Sequence, residues 1–327
     1  PYLSTFDRIT YYRLQMRKFS NYDFLEIHDQ IVNCVDWIGE NIYSGCLSGD
    51  VIELTKDQKS SKYYTSRTTP IHNLVVTDIY SSRDGSKIIT SSLDGKCFVT
   101  ERSTMQQIRE IECPEALSPH CAINKDGTFV AVAGQGGHLY FDDLSRTTNV
   151  PIEGPDAKEA FFKAVRFFGS DDSKVVCLSR HTLFEVDIEK QEVVNSLTGG
   201  TGKKVGELKR SNNCLATNDR IIALGTVKGY IQLLDLKAPP NEKIREIKVG
   251  GELIEKIEFS HDGQTLAIAS SNKRVSLLDM MMLEHPFIEQ QRSRIISISF
   301  NSDSSQIVSA SEDKTVIIAN IVQDEKS

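Results

Sequence analysis

Short runs of alternating apolar and polar residues, broken by clusters of turn formers, recur along the chain. The last is the clearest. In residues 295–300 (IISISF) Ile296, Ile298 and Phe300 face one way and Ser297 and Ser299 the other. That period of two predicts a strand. Residues 301–305 are a polar turn cluster, residues 306–311 a second strand, Glu312-Asp313-Lys314 a second turn, and residues 315–321 a third strand rich in β-branched side chains. Three such strands cannot bury both faces of a sheet by themselves, so the meander needs neighbours of its own kind. Six more stretches have the same design: residues 40–54, 82–101, 124–144, 171–188, 218–236 and 260–280. Aligned on the second turn, at Gly49, Asp94, Gly136, Arg180, Lys228, Asn272 and Asp313, they are spaced by 45, 42, 44, 48, 44 and 41 residues. Seven units of that length, each built of short strands, predict an all-β fold: a seven-bladed β-propeller of four-stranded antiparallel blades.

The pattern also predicts how the ring closes. The last repeat supplies three strands, so its outer strand must come from elsewhere. Residues 9–17 (ITYYRLQMR) are the expected donor. The whole chain then reads as one domain: residues 1–21 close the ring, residues 22–321 hold the seven repeats, and residues 322–327 are a polar tail.

Composition narrows the function. A net charge of −7 over 327 residues argues against a general electrostatic grip on nucleic acid, and no direct nucleic-acid binding is expected. No apolar run has the length of a membrane span and none at the start resembles a signal segment, so no membrane insertion is expected. The seven cysteines contain no CxxC pair and sit mostly among apolar strand residues. They read as buried small hydrophobes in a reducing compartment, cytoplasm or nucleus.

The run Ser309-Ala310-Ser311-Glu312-Asp313-Lys314-Thr315-Val316 resembles the second-strand, turn and third-strand signature of the WD-repeat proteins. The dipeptide that names that family is eroded to Phe141-Asp142, Val186-Asp187, Leu234-Asp235, Leu278-Asp279 and Ala319-Asn320; the single Trp, Trp37, lies in a first strand. The resemblance implies a partial internal network of His, Ser/Thr and turn Asp. His28 stands for it in the first repeat, His72, Thr90 and Asp94 in the second, and Ser309 and Asp313 in the last. It also implies that the upper face, made by the loops before first strands and between second and third strands, docks other proteins.

Candidate chemistry is sparse. Residues 198–204 (TGGTGKK) lack the spacing of a phosphate-binding Walker loop, since Leu197 and Lys204 occupy positions that need Gly and Ser/Thr. They read as a flexible inter-blade loop, or as a platform presenting Lys203 and Lys204 to an acidic partner. The histidines show no metal-ligand spacing. Innermost strands are expected to offer mainly Ser, Thr and apolar side chains, which argues against an enzyme using the central channel. Met280, Met281 and Met282 read as blade packing or as a docking patch. The expected function is a non-catalytic protein-interaction scaffold, a subunit of a multiprotein complex, with no cofactor, no metal and no catalytic residues. Its protein-binding residues are expected to be His28, Asp29, His72, Lys203, Lys204, Arg292 and Arg294 on the upper face. The alternatives are a propeller of the actin-interacting type and a propeller enzyme working in the channel.

Overall fold

A computed structural model describes residues 17–26, 28–113, 119–134, 137–152, 161–169, 172–198, 211–235, 244–281, 289–290 and 292–323. Among these there is no helix; they form seven antiparallel sheets of four strands each. Blades 1 to 6 are made of consecutive strands, in residues 32–70, 76–112, 120–151, 162–198, 212–248 and 254–290. Blade 7 joins the two ends of the chain. Its inner strands Ile295–Phe300, Gln306–Ser311 and Val316–Gln323 are completed by Arg17–Leu25, the first strand of the sequence.

The donor strand is therefore later than residues 9–17. Arg17 pairs with Gln323 and Leu25 with Val316, with a bulge between Ser20 and Tyr22. Residues 9–16 lie outside the described residues. Leu25 and Tyr22 reach the apolar clusters on either side of blade 7, which anchors this register.

Each strand has one face toward each neighbouring blade. The described core accordingly divides into seven apolar clusters, one at every blade–blade interface. The cluster of Val32, Val35, Trp37 and Ile42 with Val308, Ala310 and Ile318 closes the ring between blades 1 and 7. All seven cysteines are buried and free. Burial pushes the thiols of Cys34, Cys97, Cys177 and Cys214 up, which leaves them unreactive.

One irregularity recurs. In six of the seven inner strands the register slips near the upper end, between Val32 and Cys34, Val76 and Asp78, Phe162 and Ala164, Asn212 and Cys214, Ile254 and Lys256, and Ile295 and Ser297. A bulge turns two successive residues to the same side before alternation resumes. This corrects the simple alternation expected of residues 295–300. Ile298 and Phe300 pack between blades 6 and 7, while Ile296, in the bulge, lines the central channel beside Ser297.

Candidate functional site

The bulges decide what enters the channel. They present Asn33, Thr77, Lys163, Asn213, Glu255 and Ile296 at its upper mouth. Asn33 donates to Val76 O at 2.9 Å, Thr77 to Pro119 O at 2.8 Å and Asn213 to Ile254 O at 2.9 Å, so each reaches the adjoining blade. Below them come Asp78, Arg166 and Lys256, then Asp36, Tyr80, Glu258 and Ser299. The expectation of Ser, Thr and apolar residues in the channel is thus overturned: the channel is charged.

Tyr80 of blade 2 divides the channel. Its hydroxyl accepts hydrogen bonds from Arg166 of blade 4 and Lys256 of blade 6. The same two cations lie over its ring, at 3.9 Å and 4.6 Å from the centroid. Arg166 and Lys256 line the cavities on both sides of this plug.

The upper cavity encloses about 480 Å³. In its wall Asp78 receives His120 at 2.8 Å and Lys256 at 3.3 Å. Burial raises its carboxyl, but Lys256 and then His120 more than offset this and hold it well below the usual carboxylate range. Glu255 meets Arg294 at 2.7 Å, and Arg294 also reaches Glu312 at 3.2 Å.

The lower cavity holds two carboxyls on one hydroxyl. Ser299 Oγ is 2.9 Å from Asp36 Oδ1 and 3.2 Å from Glu258 Oε1. A hydroxyl has one hydrogen, so Ser299 Oγ donates fully to one carboxyl or is shared between the two. Burial raises both carboxyls, and the charge of Asp36 raises Glu258 further. Of the two, Glu258 is held higher, at about 7 against about 6 for Asp36. Proton-sharing carboxyls also serve acid–base catalysis. Here one oxygen of each is engaged: Asp36 Oδ1 by Ser299 and Trp37 N–H, and Glu258 Oε1 by Ser299 and Phe300 N–H, the two N–H contacts at 3.0 Å. The pair ties blades 1, 6 and 7 together. Among the described residues, no group of three or more His, Cys, Asp and Glu is placed to hold a metal ion.

The upper face spreads the expected binding residues over two depths. His28 and His72 lie beneath it. His28 Nε2 is 2.8 Å from Ser44 Oγ, and burial lowers the imidazole to about 4. His72 spans Thr90 at 3.0 Å and Asp94 at 3.1 Å, the network implied for the second repeat. Gly49 presses on this loop: its φ is +91°, and a Cβ there would stand 2.2 Å from His72 O. Only glycine fits. Asp29 is exposed. Arg292 is exposed and 3.5 Å from Glu26, while Arg294 is half-buried over the channel mouth. Asp29, Arg292 and Arg294 thus share the arc of blades 7 and 1. Lys203 and Lys204 lie outside the described residues.

Sequence reasoning missed three leucines. Leu47, Leu74 and Leu93 are 37%, 51% and 42% exposed, all on upper loops of blades 1 and 2. Their loops adjoin: Leu93 N–H donates to Val75 O at 3.1 Å, Ser92 Oγ donates to Leu74 O at 3.0 Å, and a Cβ on Gly49, in the Leu47 turn, would stand 2.9 Å from Leu74 O. Their signal was present, since CLSGD and SLDG place Leu in tight turns where a polar residue is usual. The other large exposed apolars, Phe24, Tyr64, Ile108 and Val194, stand apart on outer strands of different blades. On the outer rim, Met280 packs against the cluster of blades 5 and 6, Met281 is 84% exposed, and Met282 lies outside the described residues.

The family model described as WD domain, G-beta repeat matches residues 64–100 and 284–320. Each match starts around the outer strand of one blade and runs through the three inner strands of the next. The sequence repeat is thus offset from the blade, which makes neighbouring blades share a repeat. The chain is also similar to WD repeat-containing protein SL1-17 of Schistosoma mansoni, at 24% identity over 104 residues, 32% of this chain. That alignment spans 34% of the relative's own length. Seven blades of one design, two matched repeats and the His72–Thr90–Asp94 network support a β-propeller built of WD-type repeats.

Proposed function

We propose that this propeller is a non-catalytic platform for protein–protein interaction, a subunit of a larger cytoplasmic or nuclear complex that docks its partner on the upper face. WD-repeat propellers are interaction modules in general; the partner, the complex and the face are this proposal. The observation that carries it is the leucine group Leu47, Leu74 and Leu93, exposed together on one face. Clustered apolar side chains on loops mark contact surfaces more strongly than scattered ones. Asp29, Arg292 and Arg294 flank the group across blades 7 and 1, and Lys203 and Lys204 belong to the same proposed surface. His28 and His72 serve it from below by fixing the loops. A partner segment with apolar anchors and acidic residues fits this surface, the anchors supplying affinity and the acids the encounter rate.

The experiment is an affinity capture with mass spectrometry, comparing the wild type with two variants. One combines Leu74→Glu and Leu93→Glu. The other reverses Lys203, Lys204, Arg292 and Arg294 to Glu. Both are expected to fold, since exposed positions contribute little to stability. Both are expected to lose the principal partner, the reversal mainly through slower association. Folded variants that hold every partner at wild-type strength would move docking to the lower face or the outer rim.

A further inference from the structure

We propose that the upper cavity is an anion-receiving pocket, and that an acidic side chain of the docked partner enters it. This rests on the docking reading and specifies what the partner must carry. Four cations line the cavity, Lys163, Arg166, Lys256 and Arg294, against two carboxylates, Asp78 and Glu255. Both carboxylates are engaged: Asp78 by His120 and Lys256, Glu255 by Arg294. Lys163 and Arg166 have no carboxylate in contact among the described residues. The Lys163 ammonium rests over the Phe161 ring at 4.9 Å. Arg166 gives one N–H to Val165 O and another to Tyr80; burial lowers its guanidinium, and the nearby charges of Asp78, Glu258 and Asp36 partly offset this.

A chain of net charge −7 thus lines one concave site with more cations than carboxylates. Low-dielectric walls strengthen such a field, and a guanidinium beside an ammonium suits a carboxylate. The opening lies on the docking face, with Arg294 at its edge. Arg166 and Lys256, both bonded to Tyr80, close it from below, so the site takes the end of a side chain and does not thread a strand. A volume of about 480 Å³ is ample for a glutamate side chain.

The test is fluorescence anisotropy with a short capped peptide alternating Glu and Gly, a Gln/Gly peptide as control, and inorganic phosphate as competitor. The Glu peptide is expected to bind and the Gln peptide not. Added salt should weaken binding, and Lys163→Glu should weaken it by about tenfold or more. If Lys163→Glu does not fold, Lys163→Gln carries the test, with a several-fold loss expected. Wild-type affinity in a folded Lys163 variant would overturn the proposal, as would no binding of the Glu peptide. Binding of phosphate without the Glu peptide would assign the pocket to a free oxyanion and overturn it equally. The docking reading fails separately. A Lys163→Gln protein that captures its partner normally, while Leu74→Glu/Leu93→Glu does not, removes the pocket and keeps the docking face.

Discussion

The two halves of the central channel use charge in opposite ways. Above Tyr80 cations outnumber carboxylates and the cavity opens on the docking face. Below it Asp36 and Glu258 share Ser299, and a retained proton lowers their repulsion. The upper half is arranged to receive something from outside. In the lower half the contacts of Asp36 Oδ1 and Glu258 Oε1 run to a neighbouring blade or to the backbone. Burial alone does not separate the two halves. What separates them is whether the charges are already matched from within the ring.

The strongest way to break this comparison is to remove a group that serves both halves. Lys256→Met takes the cation from Asp78, from Tyr80 and from the field over Asp36 and Glu258. Breaking a buried ion pair on one side costs about 3–5 kcal/mol, and a loss of that order is expected in urea unfolding. A loss below about 1 kcal/mol would show that Arg166 and His120 suffice to compensate Asp78.

The lower half has its own signature in pH. The Glu258 carboxyl is raised to about 7 by burial and then by Asp36, so the folded chain holds a proton that the unfolded chain releases. Stability should therefore fall as pH rises from the ordinary glutamate range to about 7, and level off beyond. His28 and His72 act in the other direction. Burial lowers both, so their contribution is lost as pH falls below the ordinary histidine range. The difference between wild type and Glu258→Gln cancels the histidines. Gln can still donate to Ser299 and accept from Phe300 N–H. The variant should be the more stable protein above neutrality, by a margin that shrinks toward acid. A constant difference in melting temperature from pH 5 to 9 would mean that the pair does not share a proton.

A smaller effect compares two turns of the upper face. Asp94 accepts from His72 and from the N–H groups of Asn73 and Lys96, each at 3.1 Å. Asp313 accepts through Oδ1 from Thr315, while its Oδ2 is buried with no hydrogen-bond partner. Asp94→Ala should cost about 1–3 kcal/mol by leaving buried donors unmet. Asp313→Ala should cost less, because half of its carboxylate is already unsatisfied. Equal denaturation midpoints would show that the His72 network adds nothing.

The smallest effect sharpens the upper half. Lys163→Gln should change stability by no more than about 0.5 kcal/mol, since its ammonium has no carboxylate to lose. A larger loss in a chemical melt would make Lys163 part of the internal matching and erase the distinction between the halves.

The sequence by itself determined the number of blades and the place of most strands, because these depend on local alternation, turn formers and fixed spacing; the second-repeat network was implied by the family resemblance. The sequence also showed that the last blade lacks a strand. Which early residues supply it was decided by side-chain fit along that edge, and the answer was Arg17–Leu25. The channel was not legible in advance. A period-two reading of residues 162–168 or 254–259 runs straight through a bulge and assigns side chains to the wrong face, because one extra residue inverts the alternation. Nor does any local pattern tell that Tyr80 meets Arg166 and Lys256, or that Ser299 meets Asp36. Those residues come from different blades, far apart in the chain, and only closure of the ring brings them to one axis.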